Sequence, residues 1–469
     1  IQAKHSDNLM FNMASTLSAK VTKRSTLVGG LVLGSNSNRH YQTMDDLLGA
    51  SFFHNINTYA LGTYPASDPR VQYDLNTAGP NNLGSLVYEG DKFGYDYKIE
   101  VMKGLLWTSY TAEMGRFQTM ISGKLGQTNM RRHGYMRNGM AANNSEGNSR
   151  IARFGEGGAK GSINFDAGKG HVFKIGVGYE WRPPMANTAF ISPEICNDYV
   201  LNLGDEHVFS SEFSYQYQNA WVHANVNAYY SRLDHVTEWQ NFYNDDSNSF
   251  TYLSMTGLEK EYYGIEAGLD FKVASFLNFK AIGTISDAKN INNANVNYML
   301  SKSAEVKKDY AYIKDMRESG TPLTIGSLAL DFHKSGWFVN LNANWYDRIY
   351  LSYSPSYRYK SSLKNRDMLF NDEPLPGSVD QAKGHGGWMV DGSIGKSIRL
   401  KHGSLNFNLM VTNILNNRKI VSGGYEQSRS DYTLNKENEA KDRVYKFSKN
   451  PKKYYVFGTN GMFQVSYRF

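Results

Sequence analysis

The sequence predicts an all-β fold, a transmembrane antiparallel up-and-down β-barrel wall of about fifteen strands in one meander. Three observations predict it. Apolar and polar residues alternate over many segments, and a period of two means strand because successive side chains point to opposite faces. Leu405, Phe407, Leu409 and Val411 oppose Ser404, Asn406, Asn408 and Thr412, and at the C-terminus Phe463, Val465, Tyr467 and Phe469 oppose Met462, Gln464, Ser466 and Arg468. The composition holds 33 Tyr, 24 Phe and 43 Gly against 11 Pro, which fits aromatic girdles at two membrane interfaces and tightly curved strands. Short turns alternate with long polar loops, which is the rhythm of successive hairpins.

The first hairpin descends through Phe11–Val21 with Asn12, Thr16, Ser18 and Lys20 inward, turns at Thr22–Ser25 and returns through Leu27, Leu31 and Leu33. The second runs Tyr95–Ala112 and Phe117–Met130, with Phe117, Ile121 and Leu125 on one face. The third joins Ala159–Phe165 to Phe173–Trp181 across Ala167-Gly168-Lys169-Gly170. In the fourth, Phe209–Tyr217 turns at Gln218-Asn219 and returns with Val222, Ala224, Val226 and Ala228 opposite His223, Asn225 and Asn227. The fifth pairs Tyr263–Val273 with Leu277–Ile285. The sixth pairs Leu328–Phe332 with Trp337–Trp345 and carries the inner ladder Asn340, Asn342, Asn344. The seventh sets Trp388, Val390, Ile394 and Ile398 against the 404–412 strand, with Lys396 interrupting the outward pattern, and a last strand spans 458–469. Between the hairpins, long loops are expected near 41–90, 133–150, 183–204, 236–258, 291–320, 353–385 and 420–455.

Composition excludes other classes. Mean hydropathy is −0.53 and no run of eighteen apolar residues exists, so no helix crosses a membrane; barrel strands escape that measure by alternation. The bland competitor is a secreted all-β protein. Cys196 stands alone, which rules out an internal disulfide or thiolate metal site. The net charge of +7 is interleaved with acids, giving no nucleic-acid footprint. No two of the 11 His lie two to four residues apart, so no zinc pair is presented. The glycine run Gly155–Gly161 opens a strand and not a helix, so it serves curvature and not a nucleotide. No nucleophile–base motif stands out, and the expectation is no enzyme, no cofactor and no metal.

Outer-membrane barrels keep short turns on the periplasmic side and long loops outside. Both the first and last strands then descend, which places the C-terminus in the periplasm. A closed barrel with both ends periplasmic has an even strand number, so an odd count that starts descending implies preceding strands.

The end of the chain resembles a family. The run Val-Thr-Asn-Ile-Leu-Asn-Asn-Arg (411–418), the loop Ser-Gly-Gly-Tyr-Glu-Gln-Ser-Arg (422–429) and the terminal Phe-Gln-Val-Ser-Tyr-Arg-Phe resemble the barrel end of Bacteroidetes TonB-dependent outer-membrane transporters. The resemblance implies a barrel of twenty-two strands around an N-terminal plug, of which this chain, 1–469, would be the C-terminal portion. It marks Asn413, Asn416, Gly424, Tyr425, Glu426, Gln427 and Arg429 as family-motif positions, and Phe463, Val465, Tyr467 and Phe469 as the barrel-assembly signal. It implies TonB-driven uptake, with the TonB complex reached through a preceding region and a surface lipoprotein as a further partner. The Gly-aromatic-Asp-Pro-Glu loop of the starch-uptake (SusC-like) branch is not seen. Outer-membrane lipids and lipopolysaccharide would surround the wall, and no nucleic acid is expected. A passive porin, a protein-conducting barrel and a surface scaffold are the competing functions.

Ligand contacts are expected in the loops, where aromatics mixed with Arg and Asn suit a glycan, a peptide or a metal chelate. The candidates are Trp239, Phe242 and Tyr243 beside Asp245 and Asp246, and Tyr346, Arg348, Tyr350, Tyr353 and Tyr357. Packing of loop on loop is the competing role for each. Arg131, Arg132, His133 and Arg137 form a basic cluster suited to lipid phosphate or to ligand.

Overall fold

The computed structural model describes residues 1–79, 81, 84–244, 249–427, 432–434, 440–442 and 451–469. Among these, fifteen strands form one antiparallel meander. They are β1 (Gln2–Thr22), β2 (Ser25–Met44), β3 (Lys92–Met114), β4 (Phe117–Gly134) and β5 (Ala152–Gly168). There follow β6 (His171–Arg182), β7 (Glu206–Gln218), β8 (Val222–Asn244), β9 (Ser249–Ala274) and β10 (Leu277–Asn290). The last five are β11 (Thr324–Lys334), β12 (Trp337–Asp347), β13 (Gly387–Leu400), β14 (Gly403–Thr412) and β15 (Asn460–Arg468). Each strand pairs with the next in the meander. Among the described residues β1 pairs only with β2 and β15 only with β14, so the wall has two free edges.

The tight turns share one end of the wall, and their chemistry is local. Lys169 and Gly170 take φ of 54° and 86° between β5 and β6, which a primed hairpin turn requires. At the next turn the Asn219 side chain accepts from the backbone N–H groups of Trp221 (2.8 Å) and Val222 (2.7 Å), an Asx-type closure.

Ladder register puts Phe173, Val177, Tyr215, Leu269, Phe279, Leu341, Leu409 and Val465 on one face, and Asn225, Asn342, Asn408 and Gln464 on the other. The first face is an exposed apolar belt continued by Ile121, Ile175, Ile265 and Ile285. The second is polar and carries ion pairs such as Lys103–Glu156 (2.7 Å), Lys124–Glu180 (2.6 Å) and Lys280–Asp331 (3.0 Å). Lys396 belongs to the belt face, opposite Trp337, without disturbing the register. Its amine reaches past the Trp337 ring (4.9 Å) to the turn carbonyl of Ser335 (2.8 Å), so the charge snorkels to the interface.

At the far end, strands and loops differ from the simple reading. The 236–258 stretch is mostly ladder and not loop, because β8 runs to Asn244 and β9 begins at Ser249. The 291–320 loop contains a hairpin, Ala294–Leu300 with Val306–Ala311, that adds to β9. The 353–385 loop holds two short helical turns, Pro355–Arg358 and Lys360–Lys364. Ladder pairing outside the membrane satisfies the same backbone groups that a bare loop would leave to water.

These segments pack into a roof with its own apolar core. Phe190 and Ala189 of the 183–204 loop sit on Tyr97, Met130 and Phe154 of the inner wall, and Ile191, Ile195 and Val200 pack on Tyr252 and Met299. Loop 45–90 reaches this assembly through the amide of Asn57, which donates to the Ser301 carbonyl at 2.6 Å.

The belt yields a direct prediction. In the full-length protein Leu409→Lys is expected to cost ~2–4 kcal/mol, and Asn408→Lys far less, because a cation at mid-membrane is expensive only on the lipid face. The folded, heat-modifiable fraction on gels measures both, and equal impairment would refute the facial assignment.

Candidate functional site

A cleft of about 420 Å³ opens on the lumen side of the roof. Arg182 ends β6, Glu206 starts β7, upper β8 supplies Thr237–Gln240, and the loops supply Arg317–Ser319, Ser352 and Tyr353. A bulge shapes it. His235 takes φ of 59° and the β8–β9 register shifts between Leu233 and Val236, then again before Glu238. The bulge resets the alternation and re-aims the side chains beyond it.

The charges around the cleft satisfy one another. Arg182 donates to Glu206 at 3.2 Å. The Lys260 amine lies between Glu238 and Glu318, at 2.6 Å from the latter, and the Tyr262 hydroxyl donates to Glu318 at 3.1 Å. Arg317 grips Asp287 through two nitrogens, at 2.9 and 3.1 Å, which holds its pKa above the ordinary value despite partial burial. What remains for a ligand is neutral: the Trp239 and Tyr353 rings, Gln240, and the Ser319–Ser352 hydroxyl pair at 2.7 Å. The buried Thr237 hydroxyl has no hydrogen-bond partner among the described residues.

Of the eight loop residues expected to contact ligand, the structure brings Trp239 and Tyr353 together in this cleft. The Trp239 indole donates to the Ile191 carbonyl at 3.0 Å, and the Tyr353 hydroxyl is held by the Asn290 amide at 3.0 Å, so both rings are fixed. The other six lie elsewhere. Phe242 packs into the roof core with Leu253, and Tyr243 lies beside Tyr59 and Phe250. Tyr346 faces the lumen within β12. Arg348 donates to the Ser286 carbonyl at 2.7 Å and pairs with Asp287 at 3.3 Å. Tyr350 is buried under Arg317 and Lys383, and Tyr357 is buried beneath Arg366. Asp245 and Asp246 lie outside the described residues. The basic cluster also divides: Arg132 is buried, donating to the carbonyls of Pro193 (2.7 Å) and Ser145 (2.7 Å), whereas Arg131 faces outward and pairs with Glu100.

Several of the positions that the resemblance marks hold backbone segments together. Asn413 and Asn416 both take positive φ, 48° and 50°. The Asn413 amide donates to the carbonyls of Asn417 (3.0 Å) and Phe457 (2.8 Å), and Asn416 accepts from the N–H of Thr459 (3.2 Å), which ties the end of β14 to the start of β15. Gly424 lies so close to the Lys452 carbonyl that a Cβ would stand 2.1 Å from it. Tyr425 is exposed beside Tyr454, and Gln427 is half-buried. Glu426 is buried and bound by Arg358, at 2.6 and 2.9 Å, while Arg358 also donates to the carbonyls of Ser354 (3.0 Å) and Asp380 (2.9 Å). Arg429 lies outside the described residues. Phe463, Val465 and Tyr467 are exposed on the belt side, with the Tyr467 hydroxyl donating to the His402 carbonyl at 2.6 Å, and Phe469 is exposed just past the end of β15.

A second cluster escaped the sequence reading. Glu194, in the 183–204 loop, accepts from the Tyr252 hydroxyl at 2.8 Å and lies within electrostatic reach of Tyr73, Tyr95, Tyr97 and Lys4. Its enclosure by the roof raises its pKa, against the smaller opposing effects of Tyr252 and Lys4. Burial likewise raises Tyr73 and pushes the Cys196 thiol up to about 12. Only the three-dimensional meeting of five distant segments creates this group, so no local pattern could have announced it.

No family model and no curated protein matches the chain. Solved structures do. The copper transporter OprC aligns with a TM-score of 0.62 at 10% identity, covering 100% of this chain and 58% of that one. The unliganded ferric citrate transporter FecA aligns at 0.60 and 9%, covering 100% and 55%. The siderophore receptor PiuA from Acinetobacter baumannii aligns at 0.55 and 10%, covering 100% and 56%. The chain has the antiparallel β-barrel wall fold of these transporters and receptors. It spans 55–58% of the length of these three structures.

Two outcomes are expected in the full-length protein. Arg358→Ala leaves the Glu426 carboxylate buried without its partner, at about 3–5 kcal/mol; limited proteolysis should then cut within 349–385, while Arg358→Lys resists longer. For Glu194 the folded state favours the protonated acid, so its contribution is greatest below the ordinary carboxylate range and declines as pH rises through the raised value. Wild-type melting temperatures should fall along that slope, and Glu194→Gln should flatten it. An unchanged slope would place Glu194 in contact with bulk water.

Proposed function

We propose that this chain is the larger, C-terminal part of the barrel of a TonB-dependent transporter that takes up a nutrient ligand across the outer membrane. The single observation that carries the reading is the fifteen-strand meander with two free edges, aligned along its whole length with 58% of a copper transporter. Free edges in hydrocarbon leave backbone groups unsatisfied at several kcal/mol each. About seven further strands, with a plug, would close the wall and connect it to the TonB complex. A passive porin sealed by this chain alone would pair β1 with β15, a ladder not found among the described residues.

The cleft at Trp239 and Tyr353 is the proposed point of ligand entry. Self-paired charges, two fixed rings and neutral hydrogen-bonding groups favour a polyhydroxylated or amide-rich ligand, a glycan or a peptide, over a highly charged chelate. A Bacteroidetes source and a surface lipoprotein over the roof remain with the resemblance of the 411–429 run. Lipopolysaccharide and other outer-leaflet lipids are the proposed surroundings of the belt, with the C-terminus periplasmic. No bond is made or broken by the protein.

The test is uptake of labelled oligosaccharides, peptides and metal chelates by cells with or without TonB. Wild-type uptake of one class should depend on TonB, and Trp239→Ala with Tyr353→Ala should lower it roughly tenfold or more, two lost stacking contacts at ~1 kcal/mol each. Uptake indifferent to TonB would sink the transporter reading. Uptake indifferent to the two substitutions would move the ligand site elsewhere.

A further inference from the structure

The outward face of β2–β5 carries a charge arrangement that ligand uptake does not use. Climbing the ladders from the belt, one row reads Leu31, Leu106 and Leu125, and the next Leu33, Gly104, Gln127 and Gly155. Above these come Ser35, Met102, Asn129 and Arg153, then Ser37, Glu100 and Arg131, then Arg39, Lys98, His133 and Asn148. Rows on one face are ~6.6 Å apart. Hydrocarbon-facing leucines therefore give way to cations within two or three rows, the zone where lipid headgroups lie.

Two carboxylates fix those cations in place. Glu100 is shared by Lys98, at 2.6 Å, and Arg131. Asp96 is shared by Arg39, at 2.8 and 2.6 Å, and Lys92, at 3.1 Å. Arg153 is exposed and has no ion-pair partner among the described residues. Asp7, which accepts from the Tyr41 hydroxyl at 3.0 Å, adds a third acid. Five cations against three acids leave two positive charges on this face. At β8–β9 the balance is reversed, with Arg232 alone between Asp234 (2.9 Å) and Glu259 (2.8 Å).

A groove of about 210 Å³ lies within the charged rows, lined by Ser35, Ser37, Glu100, Met102, Arg131 and Ile151, with the Glu100 carboxylate already bound by Lys98 and Arg131. Met102 and Ile151 are 60% and 47% exposed, an apolar lining under a cationic head. The space over Gly155, one row below Arg153, is unfilled.

We propose that this groove binds one phosphorylated membrane lipid. Its phosphate meets Lys98, Arg131 and Arg153, and an acyl chain runs past Met102 and Ile151 toward Leu106 and Leu125. The inference rests on the reading of the belt as membrane-embedded. Of the basic cluster at 131–137 it selects Arg131 and leaves out Arg132 and Arg137, both engaged with backbone carbonyls.

The test places the full-length protein in nanodiscs of phosphatidylcholine, with or without diphosphoryl lipid A, and follows thermal unfolding and lipid retention by native mass spectrometry. Lipid A should raise the wild-type unfolding temperature and be retained, with Arg131→Ala/Arg153→Ala weakening retention roughly thirtyfold. Arg131→Lys/Arg153→Lys should keep most of it, and Arg232→Ala should change nothing. Retention by the double alanine variant at the wild-type level would overturn the proposal. So would inorganic pyrophosphate reproducing the thermal shift in phosphatidylcholine alone, since the site would then hold a free anion and not a lipid. Flotation of wild type and variants with liposomes reads the belt separately: protein that floats but ignores lipid A refutes the groove alone, and protein that does not float refutes the belt.

Discussion

In hydrocarbon a peptide group has no water to turn to, and this constraint organises the whole molecule. A strand in hydrocarbon needs a neighbour on each side, and the meander supplies one on both sides for β2 to β14, each ladder handing on to the next, with β1 and β15 left as the two edges. Once the ladders exist, the pleat leaves each strand one face for lipid and one for the lumen. The belt of Leu, Ile, Phe and Tyr and the ion-paired lumen are the two sides of that pleat. Even the exception obeys it, since Lys396 stays in register and bends its amine to the turn.

The wall was therefore legible in the sequence. The faces of Phe173, Leu269, Leu341 and Val465, the tight turn at Lys169-Gly170 and the Asn219 turn follow from local patterns, and the ladders agree with them. Legibility fades where the membrane ends. Above it, period two no longer distinguishes lipid from lumen, and strands such as β8 and β9 continue where polar composition suggested a loop. The bulge at His235 then breaks the alternation just where the cleft forms.

The candidate site was legible only in part, for a related reason. Aromatic content pointed to these segments but could not tell a ring that faces a cleft from one that packs under a neighbour. Trp239 and Tyr353 line the cleft, whereas Tyr350 and Tyr357 are covered. Arg348 serves Asp287, two elements away in sequence, and Arg358 serves Glu426, 68 residues on. Such pairings depend on which loops meet, and nothing in a strand's own period encodes that. Glu426 is the instructive case: singled out by the resemblance of its loop, it is a buried carboxylate that joins two loop segments through Arg358.

The hydrogen bond from Asn57 to the Ser301 carbonyl joins residues 244 positions apart. Seven of the fourteen ladders of the wall close across turns of two or three residues at small entropic cost, but the roof needs parts that lie far apart along the chain. Its assembly belongs to the end of folding, after the wall has brought β2–β3 and the 294–311 hairpin to the same mouth. By the same logic, the roof is the section whose release disturbs the wall least. A newly inserted barrel would stand uncovered at first, and maturation of the mouth would be a separate, later event.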